Sequence, residues 1–173
     1  MTGAGELERF ERELVPLMDD AYTLARYLAR DPHDAQDVVQ EAYLRALRYF
    51  GTYRGGDARV WFLTIVRHCC YTLRRRRLAA PEVQDADAAA EAPPAYAADR
   101  AALDRDLRDA LGEALGALAP EFREAVVLRE VHGLAYRDIA RVAGVPVGTV
   151  MSRLARARKR LQHTLGISVR EAS

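Results

Sequence analysis

Residues 79–98, AAPEVQDADAAAEAPPAYAA, carry three prolines, four acids and almost no large apolar side chain. Such a stretch offers little to a core, and its composition is that of a linker. It therefore divides the 173 residues into two pieces, each too short to build one large domain. The organisation this predicts is a domain over 1–78, an acidic Pro/Ala linker over 79–98, a second domain over 99–166, and a tail over 167–173.

Both pieces read as helical. Ala, Leu, Arg and Glu dominate, and no run of alternating β-branched residues suggests a sheet. The pattern predicts a helix from Glu6 to about Ala29, interrupted at Pro16, then a turn at Asp31-Pro32. A second helix spans Asp34 to Phe50, and Asp57 is the N-cap of a third, running to about Arg77. Beyond the linker the expected helices are Asp99–Leu118, Pro120–His132, Tyr136–Ala143 and Val147–Leu165. The expected fold class is all-α, two small helical domains joined by a flexible acidic linker.

No stretch approaches the ~18 uninterrupted apolar residues of a membrane span. The opening residues MTGAGELERFERELVP lack the basic-then-apolar order of a secretory signal, so a cytoplasmic address is expected. Cys69 and Cys70 make no disulfide framework. Adjacent cysteines on a helix point about 100° apart, with no spaced second ligand pair, so buried free thiols are expected and neither a metal site nor a cofactor.

The 26 Lys+Arg and 25 Asp+Glu leave a net charge of only +1. That total conceals two basic blocks. Residues 59–78 carry 6 Arg and no acid, and residues 139–165 carry 5 Arg, one Lys and no acid. The blocks on either side of the first are acidic. Local field rather than net charge decides where a polyanion binds, although solvated helix faces also produce such blocks.

Overlapping the second basic block stands YRDIARVAGVPVGTVMSRL, residues 136–154. A helix-turn-helix needs a small residue where its helices cross, supplied by Ala140, and a residue tolerant of positive φ at the turn, supplied by Gly144. Ile139, Val145 and Val150 are its apolar pins. On the following helix Val150, Leu154, Ala157 and Leu161 share one arc. Ser152, Ala155, Arg156 and Lys159 lie opposite, flanked by Met151, Arg153 and Arg160. A short-side-chain, Arg-rich face there suits the major groove. The plain alternative is an αα-hairpin with a basic surface.

Helix 34–50 has an apolar face containing Ala35, Val38, Val39, Ala42, Tyr43, Ala46, Leu47 and Phe50. Opposite lie Asp34, Asp37, Gln40, Glu41, Arg45 and Arg48, with Leu44 among them. That leucine is either incidental or the anchor of a protein contact. On the third helix Phe62, Ile65, Val66, Cys69 and Leu73 face inward. Thr64, Arg67, His68, Tyr71, Arg74 and Arg75 share the outer face, with Trp61 at its edge and Tyr53 in the preceding loop. Aromatic groups among arginines offer stacking platforms for unpaired bases, while core packing is the other reading of Trp61.

Together these segments resemble the RNA polymerase sigma-factor family, specifically the extracytoplasmic-function (ECF) group that keeps the second and fourth sigma domains. DAQDVVQEAYLRALRYF resembles the segment docking on the polymerase β′ clamp helices. YRGGDARVWFLTIVRHCCYTLRRR resembles the segment that melts and reads the −10 element, and LAPEFREAVVLREVHGLAYRDIARVAGVPVGTVMSRLARARKRL the domain that reads the −35 element.

The resemblance implies a non-enzymatic initiation factor whose partners are core RNA polymerase (β′ clamp helices and β flap), promoter DNA and an anti-sigma factor. It places Asp37, Gln40, Glu41 and Leu44 at the polymerase contact, with Arg48 beside them. Tyr53 falls in the loop that holds a flipped base, and Trp61, Arg67 and His68 near the melted strand, on the face shared with Tyr71, Arg74 and Arg75. Met151, Ser152, Ala155 and Arg156 fall on −35 base-contact positions, Thr149 and Arg153 on phosphates, with Lys159 on the same face. The family commonly has Asn at the position of His68, Arg or Lys at that of Met151, and a larger side chain at that of Ala155. A linker of about 20 residues reaches at most ~70 Å, enough for the ~58 Å between two elements 17 base pairs apart. The other class the sequence admits is a helix-turn-helix regulator whose N-terminal helices only oligomerise.

Overall fold

A computed structural model describes residues 3–80 and 100–166, with side chains from 104 in the second block. Residues 81–99, which hold the expected linker except for Ala79 and Ala80, and the tail 167–173 lie outside the described residues; Ala79 is helical and does not belong to the linker. Among the described residues there is no strand.

Helix α1 (Ala4–Leu14) passes through a tight turn at Val15–Leu17, where Pro16 removes a backbone donor, into α2 (Met18–Ala29). Helix α3 spans Pro32–Tyr49 and begins earlier than the predicted Asp34. The Asp31 carboxylate accepts from the Asp34 N–H at 2.9 Å and Pro32 takes the first helical position, so the expected turn is the helix cap itself. Helix α4 (Ala58–Ala79) is capped by Asp57, whose carboxylate accepts from the Val60 N–H at 3.1 Å.

Helices α2, α3 and α4 pack together around Leu24, Ala35, Val38, Ala42, Phe62 and Val66. Each large apolar side chain buried there stabilises the fold by ~1.5–3 kcal/mol. Phe10 of α1 closes the bundle, meeting the Tyr43 and Phe50 rings edge-on at 5.0 and 5.2 Å.

After the linker come α5 (Arg100–Ala117), α6 (Pro120–Val126), α7 (Tyr136–Ala143) and α8 (Val147–Thr164). The helix expected over Pro120–His132 changes pitch at Val127–Val131, where the His132 N–H reaches back five residues to the Val127 carbonyl. Arg123 closes the α5–α6 turn from inside. Its guanidinium donates to the carbonyls of Leu115, Gly116 and Leu118 at 2.9, 3.1 and 2.9 Å.

The two halves are in contact. Helix α7 packs on α4 and α6 on α2, and the buried apolar residues form one continuous cluster. Helix α4 therefore has two buried sides. Phe62 and Val66 face its own bundle, and Leu63 and Cys70 are buried as well.

Candidate nucleic-acid interface

The turn between α7 and α8 is built as the sequence requires. Gly144 ends α7 in the left-handed region at φ 67°, and the Val145 N–H returns to the Ala140 carbonyl at 3.1 Å. Ala140 and Ile139 are buried, and Val145 packs against the core. On α8, Val150, Leu154 and Ala157 are buried, and Leu161 is partly so. The opposite face is open: Met151, Ser152, Ala155, Arg156 and Lys159 are exposed, while Thr149 and Arg153 are half-buried at its margin. The Ser152 hydroxyl donates to the Thr149 carbonyl at 3.0 Å, and Arg158, off this face, pairs with Glu130 at 2.7 Å.

On α3, Asp37, Gln40, Glu41, Leu44 and Arg48 are all exposed, Leu44 at 52%. Arg45 pairs with Glu41 at 2.5 Å. Asp34, expected on this outer face, is instead buried and paired with Arg77 of α4. Burial raises the Asp34 carboxyl above its ordinary range, and the Arg77 cation opposes the rise. Beside Gln40 a shallow groove of about 370 Å³ runs between α2 and α3, lined by Met18, Tyr22, Gln36, Val39 and Tyr43.

The α4 face departs most from expectation. His68, Arg74 and Arg75 are exposed, with partial desolvation and the Arg67 and Arg45 cations lowering the His68 pKa. Tyr53 is 8% exposed rather than free in a loop. Its ring lies 5.0 Å from Trp61 and 5.6 Å from Phe50, and its hydroxyl donates to the Gly56 carbonyl at 2.9 Å. Trp61 is half-buried in the same aromatic cluster.

Arg67 and Tyr71 are not on an open surface. Arg67 Nε donates to Glu124 Oε1 of α6, and the Tyr71 hydroxyl donates to Glu124 Oε2 at 3.0 Å. The Arg67 guanidinium also stacks over the Tyr71 ring at 4.5 Å. Glu124 is only 1% exposed, and the burial it shares with Tyr71 pushes the phenol well above its ordinary pKa. The helical spacing gave the angular position of Arg67 and Tyr71 correctly. What it lacked was the second packed side of α4. Glu124 itself was missed, although it precedes Val127 and Leu128 by three and four positions and so puts a carboxylate on an apolar stripe.

Cys69 and Cys70 are buried free thiols. Burial raises both, Cys70 to about 12, which keeps them protonated and unreactive.

The sigma-70 region 2 family model matches residues 16–79, and the sigma-70 region 4 model matches residues 108–161. RNA polymerase sigma-H factor of Pseudomonas aeruginosa is 36% identical over 154 residues, covering 82% of this chain and 78% of that protein. The chain belongs to the ECF sigma factors of RNA polymerase. ECF sigma factor SigM of Mycobacterium tuberculosis is 40% identical over 153 residues, 84% of this chain and 71% of that protein. SigE of Mycolicibacterium smegmatis is 36% identical over 85% of this chain, which spans 58% of that relative's length. Among solved structures, the sigma factor RpoE bound to the anti-sigma factor NepR, from Bartonella quintana, superposes with a TM-score of 0.77 at 29% identity, covering 94% of this chain and 99% of that one. CnrH in complex with the cytosolic domain of CnrY shares the fold, with a TM-score of 0.66 at 22% identity over 94% of this chain and 91% of that one. As an ECF sigma factor the chain is a transcription initiation factor and not an enzyme. Regions 2 and 4 in one chain leave no support for a regulator with an oligomerising N-terminal domain.

Proposed function

We propose that this sigma factor divides its work among three surfaces. The α3 face, with Leu44 ringed by Asp37, Gln40, Glu41 and Arg48, docks on the β′ clamp helices of core polymerase. The α4 face and the loop before it, with Tyr53, Trp61, Arg67, His68, Tyr71, Arg74 and Arg75, hold the melted −10 strand. The α8 face reads the −35 duplex through Met151, Ser152, Ala155 and Arg156, with Thr149, Arg153 and Lys159 holding phosphates.

The observation that carries this reading is the α8 surface. It lies on the second helix of a helix-turn-helix, and apart from Met151 its exposed side chains are short or cationic, with no acid among them. Short side chains admit the helix into the major groove, and the guanidinium offers two donors to a guanine edge. Exposed Leu44 supports the docking role, since a large apolar group within a polar ring gains most by being covered. The likeness to sigma factors solved with anti-sigma factors supports an anti-sigma partner for this chain too. Among the described residues no helix is long and apolar enough to cross a membrane, which accords with work in the cytoplasm beside polymerase.

Transcription in vitro with core polymerase tests the assignment. The wild-type chain should confer initiation at selected promoter sequences. Leu44→Asp should lose co-purification with core polymerase while keeping the helical circular dichroism signal. Undiminished co-purification would place the docking surface elsewhere.

A further inference from the structure

Of the groups in the proposed −10 face, two are already occupied. Arg67 and Tyr71 give their donors to the two oxygens of one carboxylate, Glu124, which lies 57 and 53 residues further along the chain. A carboxylate gripped by a guanidinium and a hydroxyl has the chemistry of a backbone phosphate gripped by the same groups. We propose that Glu124 is an internal substitute for the DNA backbone, which holds Arg67 and Tyr71 away from the strand for as long as the two halves stay packed, while His68, Arg74 and Arg75 remain exposed. The proposal rests on the assignment of that face to the melted strand.

The surroundings show why the contact is all-or-none. Glu124 has almost no exposure, so removing Arg67 without separating the halves would leave a buried, unpaired carboxylate. Such a charge is strongly unfavourable, and Arg67 therefore turns to DNA only when α6 moves away from α4. The rest of the junction moves with it. Arg123 donates to the Tyr27 carbonyl at 3.5 Å, Arg30 reaches the Gly116 carbonyl at 3.4 Å, and His132 lies 3.7 Å from Asp20. A junction of coupled contacts around one buried charge behaves as a two-state element.

The closure is also selective. Helix α8 turns its Met151–Lys159 face to solvent, and the α3 face around Leu44 is equally open. The packed chain thus withholds Arg67 and Tyr71 from a melted strand while leaving the other two surfaces available.

Glu124→Gln keeps the shape and removes the charge. In the full chain, its affinity for a short fluorescein-labelled single-stranded DNA of mixed sequence, read by anisotropy, should rise about tenfold or more if the closed form dominates. Small-angle scattering should show a larger radius of gyration than wild type. Tyr71→Phe, which keeps the ring and drops one donor to Glu124, should enlarge the radius of gyration in the same direction by less, and serves for that readout if Glu124→Gln fails to fold. Adding Arg67→Ala to Glu124→Gln should abolish the gain. Equal affinity and equal dimensions in wild type and Glu124→Gln, with binding still dependent on Arg67, would overturn the clasp and leave the −10 assignment standing. A gain that ignores Arg67→Ala would overturn the shared-donor mechanism, and DNA binding by every variant alike would remove the −10 assignment itself.

Discussion

Arg156 and Glu124 mark the two extremes of what single residues disclose. Arg156 sits where the α8 periodicity put it, opposite the buried Val150, Leu154 and Ala157, and it is exposed. Arg156→Ala should weaken binding to duplex −35 DNA by ~1–3 kcal/mol and relax preference at one base position. Competition between duplexes varied one base pair at a time measures this, and undiminished selectivity at every position would remove Arg156 from base reading. Glu124 was legible only in part. Its place on the apolar stripe with Val127 and Leu128 marks a buried acid in need of a cation. Which cation supplies it depends on a pairing across 57 residues, and no local pattern contains that information. Tyr53 shows a related limit, since an aromatic in a Gly-rich loop fits a base platform as readily as the ring stack against Trp61 and Phe50 that forms here.

At the scale of helices the chain was nearly transparent, because caps and breakers act over a few residues. Asp57, a cap by its place before an apolar run, caps α4; Gly144, a residue fitted to a left-handed turn, adopts φ 67°. The start of α3 was misplaced for an equally local reason, as an Asp-Pro pair opens a turn or serves as N-cap and first helical residue with the same chemistry. The wider pitch at Val127–Val131 had no signal in the sequence that we can identify. Asp57→Ala removes the acceptor for the Val60 N–H and should cost about 1 kcal/mol. For a chain of this size that is a fall in melting temperature of about 2–4 °C, readable by circular dichroism. Asp57→Ser should recover most of it, and an unchanged melting curve for the alanine variant would show that the cap contributes nothing.

At the scale of the whole molecule, hydropathy and linker composition separated two helical halves, yet neither indicated that the halves touch. Contacts of that kind depend on charges and small residues meeting across distant segments. His132 stands at the junction, 5% exposed, with both ring nitrogens lacking a hydrogen bond and the Asp20–Arg59 ion pair beside it. Burial lowers its pKa, with the Asp20 carboxylate opposing and the Arg59 cation reinforcing. A lowered folded-state pKa means that the unfolded chain binds the proton first. Stability is therefore full above the ordinary imidazole range near pH ~6.5 and is lost as pH falls below it toward the folded-state value. Melting temperature should drop between neutral and mildly acidic buffer, and the drop should be smaller in His132→Gln, in which only this proton is absent. Identical pH profiles would assign the loss to other groups.

The open α8 face and the engagement of Arg67 and Tyr71 on α4 also bear on the timing of initiation. With the faces assigned as proposed, a chain built this way would sit on duplex DNA, and on polymerase, before its second half is released. Stabilising the junction would then slow the passage from closed to open promoter complex while leaving promoter occupancy almost unchanged. Variants of Glu124 would be distinguished by the lag before the first transcript, and hardly at all by a footprint at equilibrium.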